Sequence, residues 1–182
     1  MKRLSRSYQE ESIPEILEWY ELQRELIALE KQRVTNSLPQ GPPLSEPRYA
    51  GMTADDVTEF FREEQETLDD YTKLGILSAT EAAIRINFAD RVENRWKDGL
   101  SRRFRNVRKE YGNRVSLEEQ ILDGWVSFEA GTKAAINELR QALPLRHWLA
   151  HGRYWTLKCG GRYKVGNVYD ICKQTLQGMK LM

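Results

Sequence analysis

The chain is 182 residues long, enough for one domain around a single hydrophobic core. Its 28 lysines and arginines offset 27 aspartates and glutamates, so net charge selects no class of partner. No apolar run is long enough to span a membrane, and the basic start MKRLSRSYQEES lacks the apolar run of a signal peptide. Two cysteines, Cys159 and Cys172, make no disulfide framework, so a reducing cytoplasm is the default location.

The pattern is mostly helical. SIPE, from Ser12 to Glu15, pairs a cap with a box acid and an early proline, a start signal for a helix. Ile13, Ile16, Leu17, Tyr20, Ile27 and Leu29 then recur at helical spacing to about Val34. Pro39, Gly41, Pro42, Pro43, Pro47 and Gly51 make 35–52 a loop or arm. TADD, from Thr53 to Asp56, opens a second helix through Phe60, Phe61 and Leu68. SATE, from Ser78 to Glu81, opens a third with Ala82, Ile86, Ala89 and Val92 on one side. SLEE, from Ser116 to Glu119, opens a fourth through Ile121, Leu122, Trp125 and Phe128. Pro144 opens a short helix, and 167–177 forms a last one with Val168, Ile171, Cys172 and Leu176 apolar. KCGGRYKVG, before that helix, reads as a small hairpin. The expected fold is all-α, an up-and-down bundle of about five to six helices. The N-terminal helix and proline-rich arm occupy 1–52, and the bundle occupies 53–182.

Both histidines of the chain fall in LRHWLAHGRYW, from Leu145 to Trp155. If Pro144 starts the helix, His147 and His151 lie four apart on one face. Arg146 then stands at the N-terminal end, where backbone N–H groups and the helix dipole favour an anion and a guanidinium adds a phosphate-shaped fork. Histidine moves protons near neutral pH. Arginine and histidine at a helix start thus form a device for cutting a phosphodiester without metal, with the RNA 2′-hydroxyl as internal nucleophile. The residue types also allow blander roles: the histidines can cap or pack, and Arg146 can bind Glu138 or another acid. A structural zinc site is a further alternative, since HxxxH is a ligand spacing and the two cysteines could complete it. The segment RVENRWKDGLSRRFRNVRKEYGNR, from Arg91 to Arg114, is the basic part of a neutral chain. Arg102, Arg103, Arg105, Arg108 and Lys109 alternate there with Trp96, Phe104 and Tyr111. That mixture suits single-stranded RNA, or equally a solvated helix face.

Arg146-His-Trp-Leu-Ala-His151 resembles the Arg-x4-His motif of the HEPN superfamily. His147 fills the position after the arginine, and Ala150-His151-Gly152 resembles the usual ending of the motif. The stretch LGILSATEAAIRINFAD, ending at Asp90, is similar to the earlier helix of HEPN proteins of the abortive-infection and ribonuclease-associated type. The resemblance runs from about Thr53 to the C-terminus. It implies a helical bundle, a homodimer with two motifs facing one cleft, and a metal-independent endoribonuclease of toxin–antitoxin or anti-phage systems. It also implies an antitoxin or defence-system partner and no cofactor. By position, Arg146 would stabilise the phosphate, His151 would act as acid or base and His147 would orient the site. Glu81 and Arg85 would support it, or would form an ordinary pair one turn apart. Trp148 and Trp155 are candidates for building the dimer. The sequence departs from the Arg-x4-His-x-Tyr toxins paired with a minimal nucleotidyltransferase, because Arg153 holds the tyrosine position and Tyr154 comes one later. A non-catalytic HEPN module that binds RNA or protein is the alternative from another class.

Overall fold

The computed structural model describes residues 11–38, 47–152 and 163–182. Among these there is no strand, and six α-helices form an all-α bundle. The first, α1 (Ile13–Ser37), starts as the sequence predicts: the Ser12 hydroxyl accepts from the Glu15 N–H, and the Glu15 carboxylate accepts from the Ser12 N–H at 3.2 Å. It runs past Val34, so the connecting segment is shorter than the expected 35–52 loop and contains a 3₁₀ turn, Pro47–Tyr49.

Thr53 and Asp56 make the same reciprocal cap for α2 (Ala54–Glu93), with bonds of 2.8 and 3.2 Å. This helix has 40 residues, about 60 Å of continuous rise. The expected break at Ser78 does not occur. Ile76 and Leu77 on one side of that point and Ile84 on the other are all fully buried. A single apolar stripe therefore passes through SATE, and no turn is available to make Ser78 a cap. Thr72 and Thr80 are also buried, and their hydroxyls donate back to the carbonyls of Leu68 and Ile76.

Within the basic segment lies α3 (Gly99–Tyr111), a helix whose bounds were not read from the sequence, capped by Asp98, which accepts from the Ser101 N–H at 2.9 Å. Ser116 caps a π-helical stretch, Leu117–Leu122, that continues into the short α4 (Asp123–Phe128). Next comes α5 (Lys133–Ala150), with Pro144 inside it. Pro144 thus does not open a helix. Ile136, Leu139, Ala142 and Leu143 before it and Leu145 and Leu149 after it are all buried. That packing carries the helix through the missing proline N–H. The last helix is α6 (Val165–Gly178). Of the expected hairpin, Tyr163 and Lys164 are irregular, Val165 and Gly166 open α6, and the rest lies outside the described residues.

Two cores hold these elements. The larger unites α2 from Leu68 onward with α3 to α6 and the start of α1. The smaller joins Val34 of α1, Tyr49 of the turn and Val57 and Phe61 of α2. Tyr20 of α1 donates to Asp69 of α2 at 2.8 Å. Burial and the Asp69 charge push the Tyr20 hydroxyl up to about 12. The pairing runs antiparallel, since Gly75 of α2 faces Ile16 of α1 while Phe61 packs near Val34. Helices α5 and α6 are also antiparallel, with Thr175 donating to the carbonyl of Ala135 and Tyr163 to that of Gln141. No helix among the described residues is long and apolar enough to cross a membrane.

Candidate functional site at the end of helix α5

Because α5 begins at Lys133, Arg146, His147 and His151 stand at its C-terminal end. This reverses the expected electrostatics: a helix C-terminus presents carbonyls and favours cations, so the dipole opposes a bound phosphate. The AHG sequence also has a backbone reason. His151 is the C-cap, with its N–H donating to the His147 carbonyl at 3.1 Å. Gly152 follows at φ 82°, the left-handed position at which glycine ends helices.

The side chains form two groups. His147 and His151 are exposed, and their rings meet with centroids 4.3 Å apart and planes inclined at 51°. Arg146 turns toward α2, where its Nε lies 3.5 Å from Glu81 Oε2. That separation makes an ion pair but no hydrogen bond, and the Nε is buried without a hydrogen-bond acceptor. Glu81 also accepts from Arg85 Nε at 2.7 Å. Arg85 in turn reaches the Val115 carbonyl, beyond the end of α3, at 3.5 Å. Glu81 and Arg85 are thus the ordinary pair one turn apart, and Glu81 in addition joins α5 to α2. Around a regular helix Arg146 and His151 leave the axis about 140° apart, with His147 between them.

Sequence reasoning missed Arg140. It donates to the Glu118 carbonyl at 2.8 Å and pairs with Asp123, fixing α5 to the π-helical stretch. Its place six residues, nearly two turns, before Arg146 on the same helix was the available signal.

The basic segment divides. Arg102, Arg103 and Lys109 of α3 are exposed. Arg105 donates to the Trp96 carbonyl at 2.8 Å and Arg108 to the Gly112 carbonyl at 2.7 Å, so each holds one end of α3 in place. Trp96 and Tyr111 are exposed, but Phe104 is fully buried against Phe88 and cannot stack on a base. Arg91, also in this segment, is sandwiched between the rings of Trp96 and Trp125, 4.7 and 5.0 Å from their centroids.

Cys172 is fully buried on α6, and burial pushes its thiol up to about 12. It lies within the larger core. Among the described residues no group of three histidine, cysteine or acidic side chains is placed to hold a metal. Trp148 is half-buried and packs on the larger core. Arg153, Tyr154, Trp155 and Cys159 lie outside the described residues. Compared with known proteins, the chain matches no family model, no curated protein and no solved structure.

Proposed function

We propose that the end of α5 is the site of a metal-independent endoribonuclease of HEPN type, acting in a toxin–antitoxin or anti-phage setting with a protein antitoxin as partner. The observation that supports it most is the ring contact of His147 and His151 on an exposed helix end, beside an arginine anchored from behind by Glu81. In this reading one imidazole accepts the proton of the RNA 2′-hydroxyl. The 2′-oxygen attacks phosphorus, the P–O5′ bond breaks, and the other imidazole protonates the departing 5′-oxygen. Arg146 balances the charge that gathers on the phosphoryl oxygens. Products are a 2′,3′-cyclic phosphate and a 5′-hydroxyl. Arg102, Arg103 and Lys109 on α3 would steer the RNA by phosphate contacts.

Purified protein should cut RNA in the presence of EDTA. His151→Ala and Arg146→Ala should each abolish cutting, with the thermal midpoint moved little by the first. Strict dependence on a divalent ion, or full activity in His151→Ala, sinks the reading.

A second reading has its own support. The Glu81–Arg146 pair engages the arginine that catalysis would use, which fits a non-catalytic module that binds RNA or a protein on the same surface. It predicts RNA binding that survives His151→Ala, with no product at any enzyme concentration.

A further inference from the structure

We propose that the outer face of the arm, where α1 lies against the first half of α2, seats a basic amphipathic helix of another protein. The proposal does not rest on the ribonuclease reading. The chain divides its charge along its length. Residues 11–70 carry 15 acidic and 5 basic side chains, whereas residues 71–182 carry 11 acidic and 20 basic ones. The near-neutral total thus conceals an acidic arm and a basic bundle, and a partner selected by charge must differ between the two.

The arm also exposes apolar surface. Ile13, Tyr20 and Val34 of α1 are buried, yet on the far side of the helix Trp19, Leu22, Leu26 and Leu29 remain 49, 53, 49 and 55% exposed. An amphipathic surface helix needs only one apolar side. Helix α2 continues the patch. Leu26 and Phe60 border a hollow of about 240 Å³ with Glu64, and Phe60 borders a second of about 370 Å³ with Met52, Asp56 and Glu63. Tyr71, 64% exposed, follows Phe60 by three turns on the same side of α2. It stands level with Trp19 in the antiparallel register set by Tyr20 with Asp69 and Ile16 with Gly75. Two antiparallel helices with apolar side chains along a shared edge are two members of a three-helix bundle, and a third helix packs along that edge. From Trp19 to Leu29 is about 15 Å, which seats about three turns of it.

Charge decides which helix that is. Exposed Glu18 and Glu25 edge the α1 stripe, and exposed Glu63 and Glu64 stand beside Phe60 in the two hollows. The bases beside them are engaged. Arg33 holds Glu30 through two hydrogen bonds of 2.7 Å, and Arg48 lies over the Tyr49 ring, 5.7 Å from its centroid. An acidic rim repels the phosphates of RNA and the anionic surface of a membrane alike. A second copy seated by the same face would bring acid against acid. A helix of another protein, apolar along one side and flanked by lysine or arginine, satisfies both the stripe and the rim.

The test is a fluorescence-anisotropy titration of the full chain with a labelled leucine–lysine amphipathic helix. A leucine–glutamate helix of the same pattern and a scrambled leucine–lysine peptide are the controls. The leucine–lysine helix should bind at least about tenfold more tightly than either control, and its affinity should fall as salt rises. Leu22→Gln with Leu26→Gln leaves the charge intact and should weaken binding by about tenfold or more. Glu18→Gln with Glu25→Gln leaves the apolar stripe intact and should weaken it several-fold and flatten its salt dependence. Both variants should keep the helical circular dichroism of the wild type. Failure of the leucine–lysine helix to bind at tens of micromolar overturns the proposal. So does equal binding of the glutamate helix, or wild-type affinity in the double leucine variant. A wild-type dimer in sedimentation velocity that the same leucine substitutions dissociate would assign the face to a second copy, and it also overturns the proposal.

Discussion

Val57 and Phe61, near the start of α2, pack with Val34 of α1 and Tyr49 of the connecting turn. Ile76, Ile84 and Phe88, further along the same helix, pack among residues of α3, α5 and α6. The charges differ as well. Asp55, Asp56, Glu59, Glu63, Glu64, Glu66, Asp69 and Asp70 crowd the first half of α2 against the two bases Arg62 and Lys73, while the second half adjoins the basic α3. One continuous helix thus serves as a strut of a two-helix arm at one end and as the central element of a bundle at the other. The arm has a small core and the bundle a large one, so the two ends should differ in how much a lost contact costs and in how far the loss spreads.

The largest effect that separates them is in the aromatic cores. Phe104 is fully buried between Phe88 and Gly124. Phe104→Ala should cost about 3–5 kcal/mol of global stability. Phe61, 5% exposed, holds the arm with Phe60 and Tyr49. Phe61→Ala should loosen amide exchange in α1 and early α2 while lowering the global midpoint much less. Equal losses in the two midpoints would show that arm and bundle unfold as one body.

Overpacking gives the next test. A Cβ on Gly124 would lie 2.5 Å from Phe104 Cε1, closer than any real contact. Gly124→Ala should therefore cost about 1–3 kcal/mol despite the better helix propensity of alanine. The double variant with Phe104→Leu should recover part of it. A Gly124→Ala chain as stable as wild type would mean that this part of the bundle repacks freely.

A smaller change probes the candidate site. Glu81→Gln removes the partner of both Arg85 and Arg146, whose side chains are 44 and 33% exposed. With that exposure the stability loss should stay near 1 kcal/mol or below. If Arg146 serves phosphate, neutralising Glu81 should raise RNA affinity. A fall in affinity would make the pair a positioning contact that the site needs intact.

The start of α1 was legible because a capping box followed by apolar residues at helical spacing is a local signal, and local hydrogen bonds realise it. SATE at Ser78 carries nearly the same signal and fails, because the burial of Ile76, Leu77 and Ile84 decides the backbone there. Pro144 misled for a related reason. Proline suits a helix start, but Ile136, Leu139 and Leu143 had already set the helix, and their spacing was readable. Helix α3 was hidden by composition: the basic residues drew attention from Leu100, Phe104 and Val107, which recur at helical spacing beneath them. The ring contact of His147 and His151 was legible from their spacing of four, although Arg146 turns away from it toward α2. Their position at a helix C-terminus and the contact of Arg146 with Glu81 were not, because both depend on packing between helices distant in sequence.

The smallest expected effect concerns two aspartates that each secure a helix start. The N–H and hydroxyl of Thr53 hold Asp56, the box acid at the start of α2, below the ordinary aspartate range. For Asp98, the cap of α3, partial burial pushes upward, but the Ser101 hydroxyl and N–H and the Arg91 charge outweigh it, and its carboxyl is also lowered. A carboxyl depressed in the folded state adds stability that is present above its unfolded value, near 4, and is lost as pH falls through the folded value. Both caps should therefore weaken below about pH 4. They should weaken differently, because Asp98 also neutralises Arg91 at 3.1 Å beneath two tryptophan rings, whereas Asp56 has no ion pair among the described residues. Asp98→Asn should lower the global midpoint at neutral pH and flatten its acid dependence. Asp56→Asn should leave the midpoint in place and speed amide exchange at the first turns of α2. If Asp56→Asn moves the midpoint as far as Asp98→Asn does, the cap at the arm is coupled to the bundle through the length of α2, and the two ends of that helix are one cooperative unit.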